Sequence, residues 1–401
     1  MAVYMDHAAT TALSEKALQM MLPYFRNEYG NPSAVYDYGQ TGKNTLEKCR
    51  NRFAKCIGAL PTEIFFTSGG TESDNWVIKG VCRSKKDKGR HIISTSMEHN
   101  AVRRALEQMV EDGFEVTYLT PDKLGQITPE QLEESIRPDT ILVTIMMANN
   151  VVGTVQNIKE LAKVAKSHRL LFHTDAVQAV GHIPVKVREL GVDFLSISAH
   201  KFNGPKGVGA LFCRMPNRLP ALLAGGGQEK EMRSGTENIP GIVGMTVALE
   251  EAVAGLDNSM TYLNGLQEKM ISGVLALPGM HLTGDPENRL PVFCSFVVEG
   301  ISHSVLLVNE MNSHGVCVSS GSACSASSKE ASHVLIAMGY DKQLASASLR
   351  ITLGMDNTDS DIEYALQTLT VSLDVLRNKS SQKAPRLEGK VKEIPSNGER
   401  F

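Results

Sequence analysis

Between about residue 60 and residue 215, short apolar runs alternate with helix-length amphipathic stretches, and this rhythm restricts the fold more than any other feature of the chain. The runs are IFFT at Ile64 to Thr67, HIISTS from His91, EVTYLT from Glu115, ILVTIMM from Ile141, LLFHTD from Leu170, DFLSIS from Asp193 and VGALFC from Val208. Strands so continuously apolar must be covered on both faces. The segments between them, such as PEQLEESI and IKELAKVAKSH, are therefore read as helices packed over a largely parallel sheet. In such α/β folds functional residues are expected just beyond the carboxyl ends of the strands.

Gly225 to Gly227 interrupt the rhythm, and Ile239 to Gly255 reads as a long helix leading out of the first domain. Beyond it the pattern predicts a helix around Leu263 to Leu275, strands near Cys294 to Val298 and Leu349 to Leu353, and helices near Ser304 to Ser313 and Asp359 to Leu376. These describe a smaller α/β domain. From Arg377 the chain turns polar and basic and is read as a loosely held tail.

Composition narrows the function classes. A chain of 401 residues can bury a large core without disulfides or metal. Forty-one Lys and Arg against 44 Asp and Glu give a formal charge of -3, so there is no global positive field to gather nucleic acid or anionic membrane. The opening MAVYMDHAATT carries Asp6 and no long apolar core, which argues against a signal peptide or anchor, and no run of 18 uncharged apolar residues follows. Seven cysteines without a CxxC pair fit a reducing compartment, and a cytoplasmic address is expected.

Several strand ends carry chemistry. FTSGGTESDNW (Phe66 to Trp76) passes from a strand through Gly69 and Gly70 into a helix beginning near Thr71, where free backbone donors could cradle a phosphate or simply form a capped turn. It matches neither GxGxxG nor GxxxxGK, so a nucleotide site has little support. In HTDAVQ, Asp175 and Gln178 share one side of a turn; Asp175 could hold a proton on a heterocyclic nitrogen or cap a helix. SISAHKFNGPKGVG brings Ser198, His200 and Lys201 together. A lysine directly after an apolar strand is costly to bury and well suited to an imine with an aldehyde cofactor. His99 could stack over a planar cofactor and carry protons, or act as a cap. With His91 it finds no compact Cys, His and acid set, so no metal is expected.

Cys324 sits in CVSSGSACSASSKEASH, a small and polar segment in which a buried packing role is out of place; a thiol on a flexible loop is a useful nucleophile. Cys317, in the apolar GVCV, fits packing well. Arg350, in ASLRITLG, alternates away from Leu349 and Ile351 and can either fork onto a substrate carboxylate or form a surface ion pair. Taken together, the lysine, the aspartate, the phosphate cradle, the histidine and the arginine point to pyridoxal 5'-phosphate acting on an amino acid.

The sequence resembles the cysteine desulfurases, pyridoxal-phosphate enzymes that supply sulfur for iron-sulfur clusters and thiolated RNA. The resemblance runs from MDHAATT at Met5 to near Leu376 and takes in GNPS, TSGGTESDN, MEH, DAVQ, SAHKFNGPKGVG, GGGQE, RSGTEN and SSGSACS. It implies the aspartate-aminotransferase type of fold, with an N-terminal segment (1–14) attached to the small domain, a large cofactor domain (15–257), a small domain (258–376) carrying a mobile cysteine loop at about 316–330, and the tail (377–401). It also implies a homodimer. Lys201 would bind the cofactor covalently, Asp175 would pair with the ring nitrogen, Gln178 would bond the ring hydroxyl and His99 would lie over the ring. Gly70, Thr71, Ser198 and His200 would hold the phosphate with Thr236 of the partner subunit. Asn150 and Arg350 would orient L-cysteine, and Cys324 would accept its sulfur and pass it to an acceptor protein. A selenocysteine lyase or other amino-acid lyase of the same fold, or a non-catalytic assembly partner, are the competing readings. One departure stands out: the family usually has Asn-Asn-Glu-x-Gly where this chain has Asn149, Asn150, Val151, Val152, Gly153, which removes a carboxylate expected beside the substrate.

Overall fold

The computed structural model describes residues 2–214, 219–321 and 331–382. Regular structure starts with β1 (Val3–Tyr4), and the seven apolar runs then become β2 (Ile64–Thr67), β3 (His91–Thr95), β4 (Glu115–Leu119), β5 (Thr140–Thr144), β6 (Leu171–Asp175), β7 (Phe194–Ser198) and β8 (Gly209–Cys213). They form one seven-stranded sheet in the order β2-β8-β7-β6-β5-β3-β4. Only β8 runs against its neighbours, pairing antiparallel with both β2 and β7. Every residue of β2, β3, β5, β7 and β8 is buried, as continuous apolar runs covered on two faces require.

The covering helices bury one stripe each. In Asn100–Glu111 the buried residues are Ala101, Val102, Ala105, Leu106 and Met109, and in Ile158–Ser167 they are Ile158, Leu161, Ala162 and Ala165. That three-and-four spacing places one face of each helix on the sheet. The helix Ile239–Ala254 is apolar nearly all round because it is a core helix, packed against Glu15–Met21 and Asp37–Ile57. It bends by 72° into Leu256–Leu275. Among the described residues, no single helix is long and apolar enough to cross a membrane.

A second, antiparallel sheet has the order β12 (Ser348–Thr352), β10 (Phe293–Val298), β9 (Met280–Leu282). The helices Leu256–Leu275, Ser304–Ser313 and Asp359–Gln382 lie against it and one another. The last of these runs past Leu376, where the tail was expected to begin, and Arg377 donates to the carbonyls of Pro278 and Glu299. A basic residue that ties a helix to a neighbouring turn reads in sequence like the start of a tail.

The N-terminal segment bridges the two sheets. β1 pairs parallel with β11 (Val316–Cys317), and the Thr352 amide donates to the Met5 carbonyl. Farther on, Thr11 donates through its amide and its hydroxyl to the His200 carbonyl at the end of β7. Residues 5–11 thus run from the small sheet to the rim of the large one.

Candidate functional site

The carboxyl ends of β2, β3, β5, β6 and β7 open onto a cavity of about 350 Å³. Its wall includes Gly70, Thr71, His99, Asn150, Asp175, Gln178, Ser198, His200, Lys201 and Arg350. Most of these residues meet here because they follow parallel strands of the same sheet, while Arg350 reaches in from β12 of the small sheet.

β6 ends on Asp175, whose Oδ1 accepts the Val177 amide at 2.9 Å, so it does cap the following turn as well as face the cavity. Burial pushes its carboxyl above the usual range, against the opposing influence of His99, the Val177 amide and Lys201. A cation brought against it is therefore favoured. Gln178 Nε2 donates to the Ala8 carbonyl at 3.0 Å. After β7 a single turn, Ala199–Lys201, turns Lys201 inward, where Nζ donates to the carbonyls of Ala8 at 2.5 Å and Ala9 at 2.8 Å.

The helix Gly70–Lys85 points its N-terminus at the same space. Its first backbone bond runs from the Ser73 amide to the Gly69 carbonyl, so the amides of residues 70–72 precede the helical ladder. Gly70 and Gly209 are required by close packing. A Cβ on Gly70 would come 2.5 Å from Val177 Cγ2, and one on Gly209 would come 2.6 Å from the Gly69 Cα. A connected hollow is lined by Ser68, Gly69, Thr71, Ser198, His200 and Lys206, and burial with the two lysines pushes His200 down to about 4. Its ring Nδ1 lies 3.2 Å from Thr10 Oγ1.

His99 is the N-cap of Asn100–Glu111, accepting the Ala101 amide on Nδ1 at 3.2 Å. With Nδ1 an acceptor, the neutral ring carries its proton on Nε2. Arg350 is fully buried at 2% exposure rather than on the surface; it donates to Asp6 Oδ1 at 2.8 Å and to the Asn150 carbonyl at 2.7 Å.

A polar layer to which sequence reasoning gave no role reaches the cavity wall at Asp74 and continues behind it. Asp74, Glu98 and His173 are fully buried. His173 bonds Thr144 Oγ1 at 2.8 Å and Ser196 Oγ at 3.0 Å, and burial pushes its ring down to about 3. Burial raises Asp74 well above the carboxylate range, with Asp175 adding to the effect, and pushes Glu98 up to about 8. The polar residues inside the HTD and MEH runs were the available signal. The carbonyls of Ala8 and Ala9 and the carboxylate of Asp6 were likewise missed, although MDHAATT stood out as a motif.

Three further expectations concern Thr236, Cys324 and Val151. Thr236 is exposed and is not among the residues of the cavity wall. Cys324 lies outside the described residues, but the residues on either side of that gap meet, with Ser332 Oγ donating to the Gly321 carbonyl at 3.5 Å. Ser319, two residues before Gly321, pairs both ways with the Arg350 backbone. Val151 is not among the residues of the cavity wall. It is 3% exposed and packs with Met97, Val152, Val297, Val334 and Leu335, because Asn149 Oδ1 accepts the amides of Val151 and Val152 and folds that turn into an apolar seam.

The residues present fit pyridoxal phosphate: an acid for a ring cation, an inward amine, and a glycine-walled hollow of backbone and hydroxyl donors for a phosphate. Among the described residues no cluster of His, Cys, Asp and Glu could hold a metal ion.

Known proteins agree with this geometry. The aminotransferase class-V family model matches residues 3–365. The cysteine desulfurase IscS of Methanosarcina thermophila is 46% identical over 379 residues, which cover 94% of each chain. The human cysteine desulfurase is 41% identical over 94% of this chain and 83% of its own. Among solved structures, a NifS-like protein superposes with a TM-score of 0.89 at 39% identity, covering 94% of this chain and all of that one. SspA in complex with cysteine gives a TM-score of 0.77 at 35% identity, over 88% of this chain and 98% of its own. With its sheet, its strand-end lysine and aspartate and this near full-length match, the chain belongs to the class-V aminotransferase family.

Proposed function

We propose that the protein is a cysteine desulfurase that removes sulfur from L-cysteine, releases L-alanine and carries the sulfur as a persulfide on Cys324. The observation that carries this reading is the meeting of Lys201, Asp175 and Arg350 around one cavity in a chain 46% identical to a cysteine desulfurase.

Pyridoxal phosphate, when bound, supplies the aldehyde that captures the substrate amine and the ring that accepts electrons from its α-carbon. Lys201 would hold it, Asp175 would pair with its ring nitrogen, Gln178 would bond its ring hydroxyl, and Gly70, Thr71, Ser198 and His200 would grip its phosphate. His99 would lie over the ring, its proton on Nε2 suited to transfers at the substrate. The carbonyls of Ala8 and Ala9 give the free Lys201 amine two acceptors that would keep it close to the cofactor. Arg350 and Asn150 orient the carboxylate. The Cys324 thiolate then attacks the substrate sulfur: the new S–S bond forms as the C–S bond breaks, and the carbon fragment takes up a proton to leave as alanine.

Three of the six described cysteines are unsuited to that role. Burial holds the thiols of Cys82, Cys213 and Cys294 up at about 12, so these supply no thiolate near neutrality.

Residues 15–257 form the cofactor domain of this reading and 258–376 the domain that carries the cysteine loop. A two-fold dimer fits the exposed apolar side chains of Phe25, Tyr29, Val35, Tyr36 and Tyr38, and it would let Thr236 of the partner subunit complete the phosphate site. A persulfide needs an acceptor protein, of the iron-sulfur scaffold or RNA-thiolation kind.

The deciding experiment adds L-cysteine and a reductant and measures alanine and sulfide together. The parent should form both in equal amounts. Cys324→Ala should bind L-cysteine with a change in cofactor absorbance yet form almost no alanine. A parent protein that binds no cofactor would overturn the reading.

A further inference from the structure

Arg350 is the largest buried charged side chain of the small sheet, and its surroundings contain an unassigned acid. Asp6 Oδ1 accepts from one terminal nitrogen at 2.8 Å, the Asn150 carbonyl accepts from the other at 2.7 Å, and among the described residues Nε has no hydrogen-bond partner. A guanidinium held at both terminal nitrogens is fixed in its plane. A buried donor left without a partner is costly unless a ligand supplies one, and Arg350 lines the substrate cavity.

Asp6 itself is set by the chain on either side. Met5 is completely buried, His7 is 6% exposed and lies 3.4 Å from Asp356, and the Met5 and Asp6 backbone follows Thr352 of β12. The carboxylate at position 6 is thus delivered to β12 by an extended segment with no freedom to turn away. The same segment, two residues on, gives the carbonyl that receives Lys201.

We propose that Asp6 is a positioning residue for substrate-carboxylate recognition: it fixes the Arg350 guanidinium so that the remaining N–H groups of its terminal nitrogens are held for the carboxylate of the amino-acid substrate. The proposal rests on the desulfurase reading above and adds to it a role for the N-terminal segment. Asp6 does not touch the substrate. It removes the rotamer freedom Arg350 would otherwise lose on binding, and so acts on affinity more than on the chemical step.

The test compares L-cysteine with its methyl ester, which lacks the charged carboxylate, in steady-state alanine or alanine-ester formation. Asp6→Ala should raise KM for L-cysteine about tenfold while kcat stays within about threefold and KM for the ester hardly moves. Asp6→Asn, which keeps the shape and one acceptor oxygen, should show a smaller rise of the same kind, and it stands in should the alanine variant fail to fold. An unchanged or lowered KM for L-cysteine, or parallel changes for acid and ester, would overturn the proposal. Arg350→Lys separates the two readings. If it loses the preference for the acid while Asp6→Ala and Asp6→Asn keep it, the desulfurase reading stands and the role of Asp6 falls.

Discussion

The two ends of the cavity are built differently. The cofactor end is made from strand termini of a single sheet, where Asp175, Ser198 and Lys201 follow neighbouring parallel strands. The carboxylate end is assembled across the molecule. Arg350 sits on the small sheet, its acid partner is 344 positions away and its carbonyl partner 200. The first end inherits its precision from a packed sheet, which forms with or without ligand. The second depends on the N-terminal segment and the small sheet staying in register with the large one, so it can be disturbed from a distance while the cofactor end stays intact.

The largest effect should come from the cofactor end itself. Lys201→Ala should lower alanine formation by at least about four orders of magnitude, roughly 5 kcal/mol of transition-state stabilisation. Borohydride should fix the cofactor covalently on Lys201 in the parent, as peptide mass spectrometry would show, and on no residue of the variant. Labelling of another lysine would break the assignment of this end.

Next is the seam that joins the ends. Val151→Glu places a carboxyl among Met97, Val297, Val334 and Leu335. Among these apolar side chains the acid must be buried neutral or open the seam, at a cost of about 3 kcal/mol. Urea denaturation should show the loss, with cofactor affinity changed far less. An undiminished midpoint would mean the glutamate reaches the cavity, as the family's usual residue was expected to do.

The carboxylate end gives a smaller, more selective effect. Arg350→Lys keeps the charge and loses the fork, so KM for L-cysteine should rise about thirtyfold, near 2 kcal/mol, with cofactor binding unchanged. An equal loss in cofactor titration would show that the two ends are not separable.

The same contrast explains what was legible in sequence. Continuous apolar runs announce buried parallel strands, and a lysine, an aspartate or a glycine pair directly after such a run is conspicuous, so the cofactor end could be read from local text. Arg350 was visible as a candidate, but its burial and its pairing with Asp6 were not, because no local pattern links positions at opposite ends of a chain. The packing of Val151 was not legible for a related reason. Its neighbours in sequence line the cavity, while the hydrogen bonds of Asn149 turn it toward residues of the small domain. The buried acids Asp74 and Glu98 were passed over because acids at the start of a helix ordinarily face solvent.

Glu98 offers the finest test of the cofactor end, since it lies behind the floor rather than in it. Its Oε1 accepts from Thr95 Oγ1 at 2.8 Å and the Met146 amide at 2.9 Å, while Oε2 is buried without a partner among the described residues. Burial raises its pKa from 4.5 to about 8. The folded state therefore binds a proton that the unfolded state has released between these values, and the group's contribution to stability is full below about pH 4.5 and is lost as pH rises toward 8. Glu98→Gln keeps the accepting oxygen and cannot ionise. Its stability should gain on the parent's steadily from pH 5 to pH 8, the gap widening by at most about 1.4 kcal/mol per pH unit for one proton. Urea titrations at pH 5, 6.5 and 8 would measure the difference. Parallel pH profiles for the two proteins would mean that Glu98 stays ionised in the fold, and that the floor behind Asp175 carries more negative charge than its burial implies.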